Sequence, residues 1–242
     1  MTKQRIIGTG LIAQALAACD LDSIEAVFFA SGVSSSLEID QAAFLREREL
    51  LKKSVLTSGS VPFFYFSTCS VYLSQSLYTP YIKHKIDMED LVLDSKGGVV
   101  IRLPQLAGRS GNRSNLLRFF YESIRDNCPL IIRQGAERNV LDVEDAILIL
   151  SKSMSLLPNS KILNIAKPEN DLVANIVQDI EKFLGKTANV NNAPGGDSYK
   201  IDTSHISDIL NSMRFDKKYL ESILTKYSKY WDMTTKPPLR CR

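Results

Sequence analysis

The sequence predicts an α/β protein built on a doubly wound parallel sheet, because strand-length apolar runs alternate with helix-length patterns through its first half. Two further observations support this class. The first strand-like run leads into Gly8-Thr9-Gly10-Leu11-Ile12-Ala13, a glycine turn at the start of a helical pattern. The third run leads into Ser67-Thr68, which puts hydroxyls at the carboxyl end of the sheet, where open α/β folds bind ligands.

In chain order, residues 4–8 read as a strand and 11–19 as a small, Ala-rich helix. Residues 25–30 form a second strand that stops at Ser31-Gly32, and 40–53 form a helix with Phe44, Leu45 and Leu51 among its apolar members. Residues 61–66 are aromatic and strand-like, 85–93 read as a helix that ends before Gly97-Gly98, and 99–103 form a strand stopped by Pro104. Beyond Gly108 the alternation breaks. Helices are expected at 115–125, 143–157, 172–184 and 217–230, strands at 130–133 and 162–166, and a loop at 191–196. The sheet should be covered by helices on both faces.

Composition narrows the classes. With 44% hydrophobic and 24% charged residues in 242, the chain can bury a sizeable core and is not of disordered type. Thirty basic and 27 acidic residues are spread along it, without the basic stripe of a nucleic-acid binder. No apolar run reaches the ~18 residues of a membrane span, and the first residues lack a signal-peptide pattern, so a cytoplasmic protein that binds neither nucleic acid nor membrane is expected. Cys19, Cys69, Cys128 and Cys241 are far apart with no C-x-x-C pair, so free thiols are expected and no metal site. The expected organisation is a reduced core over residues 1–167, with an insertion at about 110–137, and a small C-terminal α/β lobe over 168–242.

The glycine turn has a definite physical meaning. Gly8 permits the tight turn, Gly10 lets backbone approach a diphosphate, and Ala13 lets helix pack closely on strand. The acidic residue expected ~20 positions further on, to hold an adenine ribose, is missing. The second strand ends in Phe29-Ala30-Ser31-Gly32 instead, which leaves NAD, NADP or no dinucleotide open.

Tyr81-Ile-Lys-His-Lys85 supplies Y-x-x-x-K, whose i, i+4 spacing puts phenol and ammonium on one helix face. A free tyrosine titrates near ~10, and a neighbouring cation is expected to lower that, so Tyr81 would exchange a proton with a sugar hydroxyl or ketone while Thr68 holds the same oxygen. His84 is expected to point away on the surface. Cys69 is expected to be a small buried residue.

These residues resemble the extended short-chain dehydrogenase/reductase family, the NAD-dependent epimerase/dehydratase group acting on nucleotide sugars. The resemblance runs through Phe28 to Ser31, Ser67-Thr68 to Tyr72, Tyr81 to Lys85 with Glu89, Arg102 to Gly108, Arg138 to Asp145 and Leu163 to Ala166. It implies a Rossmann-like fold, with Thr68, Tyr81 and Lys85 as catalytic residues. Gly8, Gly10, Leu11, Ile12, Ala30, Ser31, Lys85 and Leu103 would contact NAD or NADP. Cys69, Ser70 and Arg138 would contact a nucleotide sugar, Arg138 through its diphosphate, and Tyr199 and Asp202 would sit on the substrate side. Two copies of the chain would pair through helices of the core.

Three departures qualify what is implied. The chain passes from its first helix almost directly to the family's fourth strand, so the second and third strands are missing and the first becomes a sheet edge. Cys69-Ser70 replace the Asp-Glu pair of 4,6-dehydratases, which disfavours dehydration. The segment between Thr68 and Tyr81 is short. The expected function is therefore an NAD(P)-dependent epimerase or 4-keto reductase of nucleotide sugars in surface polysaccharide synthesis. The alternatives are a family member that binds a nucleotide sugar or a partner without redox chemistry, and an NAD(P)-binding regulator.

Overall fold

The structure, a computed structural model, describes residues 5–19, 25–109, 112–113, 115–154 and 161–234. The first half alternates as β1 (Arg5–Ile7), α1 (Leu11–Ala17), β2 (Val27–Phe29), α2 (Gln41–Ser58), β3 (Phe63–Thr68), α3 (Pro80–Leu93) and β4 (Gly98–Leu103). The second half continues with β5 (Gln105–Ala107), α4 (Leu116–Arg125), β6 (Leu130–Arg133), β7 (Glu137–Arg138), β8 (Val140–Asp142), α5 (Val143–Ser153) and β9 (Ile162–Asn164). It closes with β10 (Asp171–Leu172), α6 (Val173–Leu184), β11 (Val190–Ala193), α7 (Ser207–Asn211) and α8 (Tyr219–Met233).

The main sheet has five parallel strands in the order β1-β2-β3-β4-β9. Among the described residues β1 is the edge of the sheet, and the order is that of a Rossmann sheet reduced by two strands. Side chains alternate between faces along each strand. Phe28, Phe64, Phe66 and Ile101 pack against Leu16 of α1 and Ile147 and Leu150 of α5. Val27, Phe29, Phe63, Tyr65 and Val100 pack on the other face against Leu51 of α2 and Met88 and Val92 of α3. Burial on both faces explains why these strands read as continuous apolar runs.

A second core joins α4, β6, α6 and α8 through Phe120, Tyr121, Ile132, Ile176, Leu224 and Trp231. Three small pairings, β5 with β8, β7 with β10 and β6 with β11, connect it to the segments around residues 105–142.

Several boundaries differ from the sequence reading. The helix expected at 85–93 begins at Pro80, because Thr79 accepts a hydrogen bond from Ile82 N–H and proline is pre-set for a first turn, so Tyr81 and Lys85 share α3. The helix expected at 143–157 is described as far as Ser153, and residues 155–160 lie outside the described residues. Cys19 and Cys69 are free thiols, but Cys128, expected to be free, is disulfide-bonded. Spacing in sequence does not reveal which distant thiols a fold brings together. Cys241 lies outside the described residues. Among the described residues, no helix is long and apolar enough to cross a membrane and no cluster of side chains could hold a metal ion.

Candidate active site

The carboxyl ends of the sheet strands open on a cleft of about 540 Å³, a size typical of small-molecule and cofactor pockets. Its two ends are built by the two motifs. At one end Gly10 caps α1 without any side-chain hydrogen bond, and a Cβ added there would meet nothing within 4 Å. Gly8 plays a different part. Its φ is +135°, and a Cβ would stand 2.3 Å from the Ala30 carbonyl oxygen, so only glycine lets the turn rest against the end of β2. Leu11, Ile12, Ala30, Ser31 and Leu103 line the cleft, whereas Gly8 lies behind it.

At the other end stand Thr68, Ser70, Tyr81 and Lys85. β3 runs to Thr68, whose hydroxyl accepts from Ser70 N–H at 3.1 Å and turns the chain into a single helical turn over Cys69–Tyr72. Tyr81, in the first turn of α3, lines the cleft with Thr68, near enough for the Thr68 side chain to act on its phenol. Among the described residues, three cationic side chains, Arg46, Lys85 and Arg109, line the cleft, and no carboxylate does.

The electrostatics differ from expectation. The Tyr81 phenol is pushed up from the ordinary tyrosine value, first by burial and then by the Glu47 carboxylate; the Thr68 side chain acts the other way without prevailing. Lys85 does not counter this, because it is held by a partner of its own. Its ammonium donates to Glu47 Oε1 at 3.1 Å and to Tyr65 Oη at 2.9 Å, and stands 5.9 Å from the centroid of the Tyr81 ring.

Glu47 is completely buried. It also accepts from Tyr65 Oη at 2.7 Å and from Val33 N–H at 2.6 Å, and is paired with His84 Nε2 at 3.0 Å. Burial alone would raise its pKa, but Lys85 and these hydrogen bonds hold it down at about 2. The loop after β2 closes this cluster, since a Cβ on Gly32 would stand 2.7 Å from Lys85 Nζ and 2.9 Å from Glu47 Oε1.

His84, expected on the surface, is buried between α2 and α3, stacked on Phe44 with ring centroids 4.6 Å apart. Glu47 and Tyr65 were not anticipated. The signal for Glu47 lies in its spacing, because it stands three residues after Phe44 and four before Leu51, inside the apolar stripe of α2.

The residues expected at the substrate are arranged in two ways. Ser70 lines the cleft near the Tyr199 phenol, while Cys69 beside it is wholly buried, its thiol pushed up chiefly by that burial. Arg138 lies outside the cleft lining; its Nη2 is 3.1 Å from the Asp197 carboxylate. Asp202 is exposed, outside the cleft lining, and accepts from Ser204 N–H at 3.0 Å. Behind the strand ends, Arg102 donates through Nη2 to Glu89 at 2.6 Å and through Nη1 to Tyr72 Oη at 3.0 Å. Ser67 donates to the same carboxylate at 2.6 Å.

A five-stranded parallel sheet wound on both faces, with a glycine turn and a Tyr–Lys helix at one cleft, defines a Rossmann-type α/β protein. No family model and no curated protein matches the chain. Solved structures do. RMD from Pseudomonas aeruginosa, complexed with NADPH, superposes with a TM-score of 0.70 at 14% identity, covering 97% of this chain and 100% of that one. UDP-glucuronic acid 4-epimerase from Bacillus cereus, in complex with UDP-glucuronic acid and NAD, gives 0.68 at 19% identity over 91% and 80%. dTDP-glucose 4,6-dehydratase from Bacillus anthracis, in complex with NAD, gives 0.65 at 14% identity over 93% and 80%. The chain has the fold of the extended short-chain dehydrogenases/reductases.

Proposed function

We propose that the chain is an NAD(P)-dependent enzyme acting on a nucleotide sugar, an epimerase or 4-keto reductase serving surface polysaccharide synthesis. The observation that carries this reading is that Tyr81 and Thr68 stand together in the same cleft as the glycine turn. The cleft suits a dinucleotide on two counts. The space beside Gly10 is open to a diphosphate, and Arg46 and Arg109, with no carboxylate among the described lining residues, favour an anionic occupant. When bound there, a nicotinamide dinucleotide supplies hydride exchange.

In this reading Gly10, Leu11 and Ile12 face the diphosphate, Gly8 sets the turn, and Ala30, Ser31 and Leu103 wall the cleft. With no acidic residue at the end of β2, nothing there excludes a 2′-phosphate, so NAD and NADP both stay candidates. Thr68 holds the reacting sugar oxygen and Tyr81 exchanges its proton. A phenol kept neutral is a better donor than base, which favours ketone reduction. Ser70 belongs to the sugar side, with Cys69 as packing beneath it. Cys69 is too deeply buried to serve as an acid in water elimination, so dehydration stays disfavoured. Arg138 meets the sugar's diphosphate once Asp197 yields it. The enzyme would work in the cytoplasm, a compartment that rarely sustains a bond such as that at Cys128.

The test is Tyr81→Phe, assayed with NAD(H) or NADP(H) against UDP-, GDP- and dTDP-sugars. Turnover should fall by about 10²- to 10⁴-fold, the contribution of a positioned acid/base, with sugar-nucleotide affinity unchanged. Equal turnover in the variant ends the assignment. One observation favours a second reading, binding without redox chemistry: the Lys85 ammonium is already paired with Glu47. A thermal shift with sugar nucleotides and none with either dinucleotide would select it.

A further inference from the structure

Glu47 is a buried carboxylate that the proposed chemistry does not use, and it sits against the group that chemistry needs charged. Its Oε1 is 3.1 Å from Lys85 Nζ, and both side chains are almost wholly out of solvent. An ammonium held at that distance by a full negative charge presents little net field to a phenol whose ring centroid is 5.9 Å away.

We propose that Glu47 is a positioning residue that neutralises Lys85 and so keeps Tyr81 a protonated phenol, fitting the site to give a proton to a carbonyl oxygen rather than take one from a hydroxyl. The proposal rests on reading Tyr81 as the acid/base of the cleft.

The surroundings are consistent with it from every side. On α2, Glu47 is the charge that faces the cluster. From α3 come Lys85 and His84, and from β3 the Tyr65 hydroxyl, which donates to Glu47 and accepts from Lys85. The loop after β2 adds the Val33 N–H. Tyr81 itself faces Thr68 at the end of β3 and the Tyr199 phenol from the C-terminal segment, neither of which brings a positive charge. Glu89, one turn beyond Lys85, is spent on Arg102 and Ser67. The carboxylate of Glu47 is thus the charge that offsets Lys85, and direction follows from it: a neutral phenol can lose a proton to a developing alkoxide, whereas abstraction would need a phenolate beside a buried anion.

The experiment titrates Tyr81 in the full chain without ligand, by the ring resonances of isotope-labelled tyrosine, with Tyr81→Phe identifying its signal. The wild-type midpoint should lie above the ordinary ~10. Glu47→Gln should lower it by about one pH unit or more, and Glu47→Asp, which keeps the charge, should restore most of it. A wild-type midpoint at or below ~10, or one that Glu47→Gln leaves unmoved with the circular dichroism unchanged, overturns the proposal. If the single variants do not fold, Glu47→Gln/Lys85→Met leaves no unpaired buried charge. Its midpoint must then stay within about half a pH unit of the wild type, and a larger shift also overturns it. Because no dinucleotide or sugar is present, failure here is separate from failure of the proposed function, which shows as absent binding.

Discussion

Arg138 and Asp197 face each other with Nη2 and carboxylate 3.1 Å apart, and Arg138 Nη1 also donates to the Asp197 carbonyl at 3.2 Å. The pair joins β7 to the segment after β11, and both side chains are only partly buried. An ion pair this exposed contributes little, roughly 0–1 kcal/mol, so it can be exchanged for another anion at small cost. Asp197→Asn is expected to leave the melting temperature nearly unchanged and to tighten sugar-nucleotide binding several-fold, because the guanidinium fork is then free for a diphosphate. Arg138→Met should weaken it tenfold or more. Calorimetric titration of both variants checks this, and an unaltered affinity in Arg138→Met removes the residue from the site.

The Arg102–Glu89 pair should matter far more to stability. Glu89 is buried, accepts from Arg102 at 2.6 Å, and also takes the Ser67 hydroxyl. Removing one partner strands the other's charge beneath the strand ends. Arg102→Met should cost about 3 kcal/mol, the usual penalty for breaking such a pair, read as a lower urea midpoint with an unchanged slope. A loss below about 1 kcal/mol would show that Glu89 finds water or another donor.

Acid stability should carry the signature of Glu47. Its folded-state pKa is held at about 2, below the 4.5 of a free glutamate side chain, so the unfolded chain takes up the proton first as pH falls. The stabilisation is therefore complete above about 4.5 and disappears as pH falls through about 2. It amounts to about 3 kcal/mol at 1.36 kcal/mol per pH unit. Urea unfolding across that window should show the slope in the wild type and a shallower one in Glu47→Gln. Parallel curves would assign acid unfolding to other carboxylates.

The sheet was legible in the sequence because its strands are buried on both faces and leave unbroken apolar runs such as Phe63 to Phe66. The cleft was legible as well, since a glycine turn and a strand-end Ser67-Thr68 fix backbone positions that do not depend on distant partners. The Lys85 environment was not. Arg46-Glu47-Arg48-Glu49 is a run of charge, and although the Phe44 and Leu51 spacing sets Glu47 on the inner face, only the packing of α2 on α3 shows that it meets His84 and Lys85 while Arg46 and Arg48 stay exposed. Long-range pairing of charges is set by tertiary contacts, and Y-x-x-x-K spacing carries no information about a carboxylate 38 residues away.

The two glycines of the turn separate folding from binding. Gly8 is required by the backbone, because at φ +135° a Cβ would be driven to 2.3 Å from the Ala30 carbonyl oxygen, an atom that cannot move without shifting the end of β2. Gly8→Ala should therefore destabilise the chain by at least about 1 kcal/mol, and more if β2 cannot adjust. Gly10 has an ordinary negative φ and open space where a Cβ would go, so Gly10→Ala should melt within a degree or two of the wild type. What a methyl group at Gly10 does is occupy the face that a diphosphate would approach. Dinucleotide affinity should fall by about tenfold or more with the fold intact, measured by fluorescence quenching or calorimetry. If Gly10→Ala binds NAD(H) and NADP(H) as the wild type does, the diphosphate does not pass over this turn, and the cleft's cations must be holding some other anion.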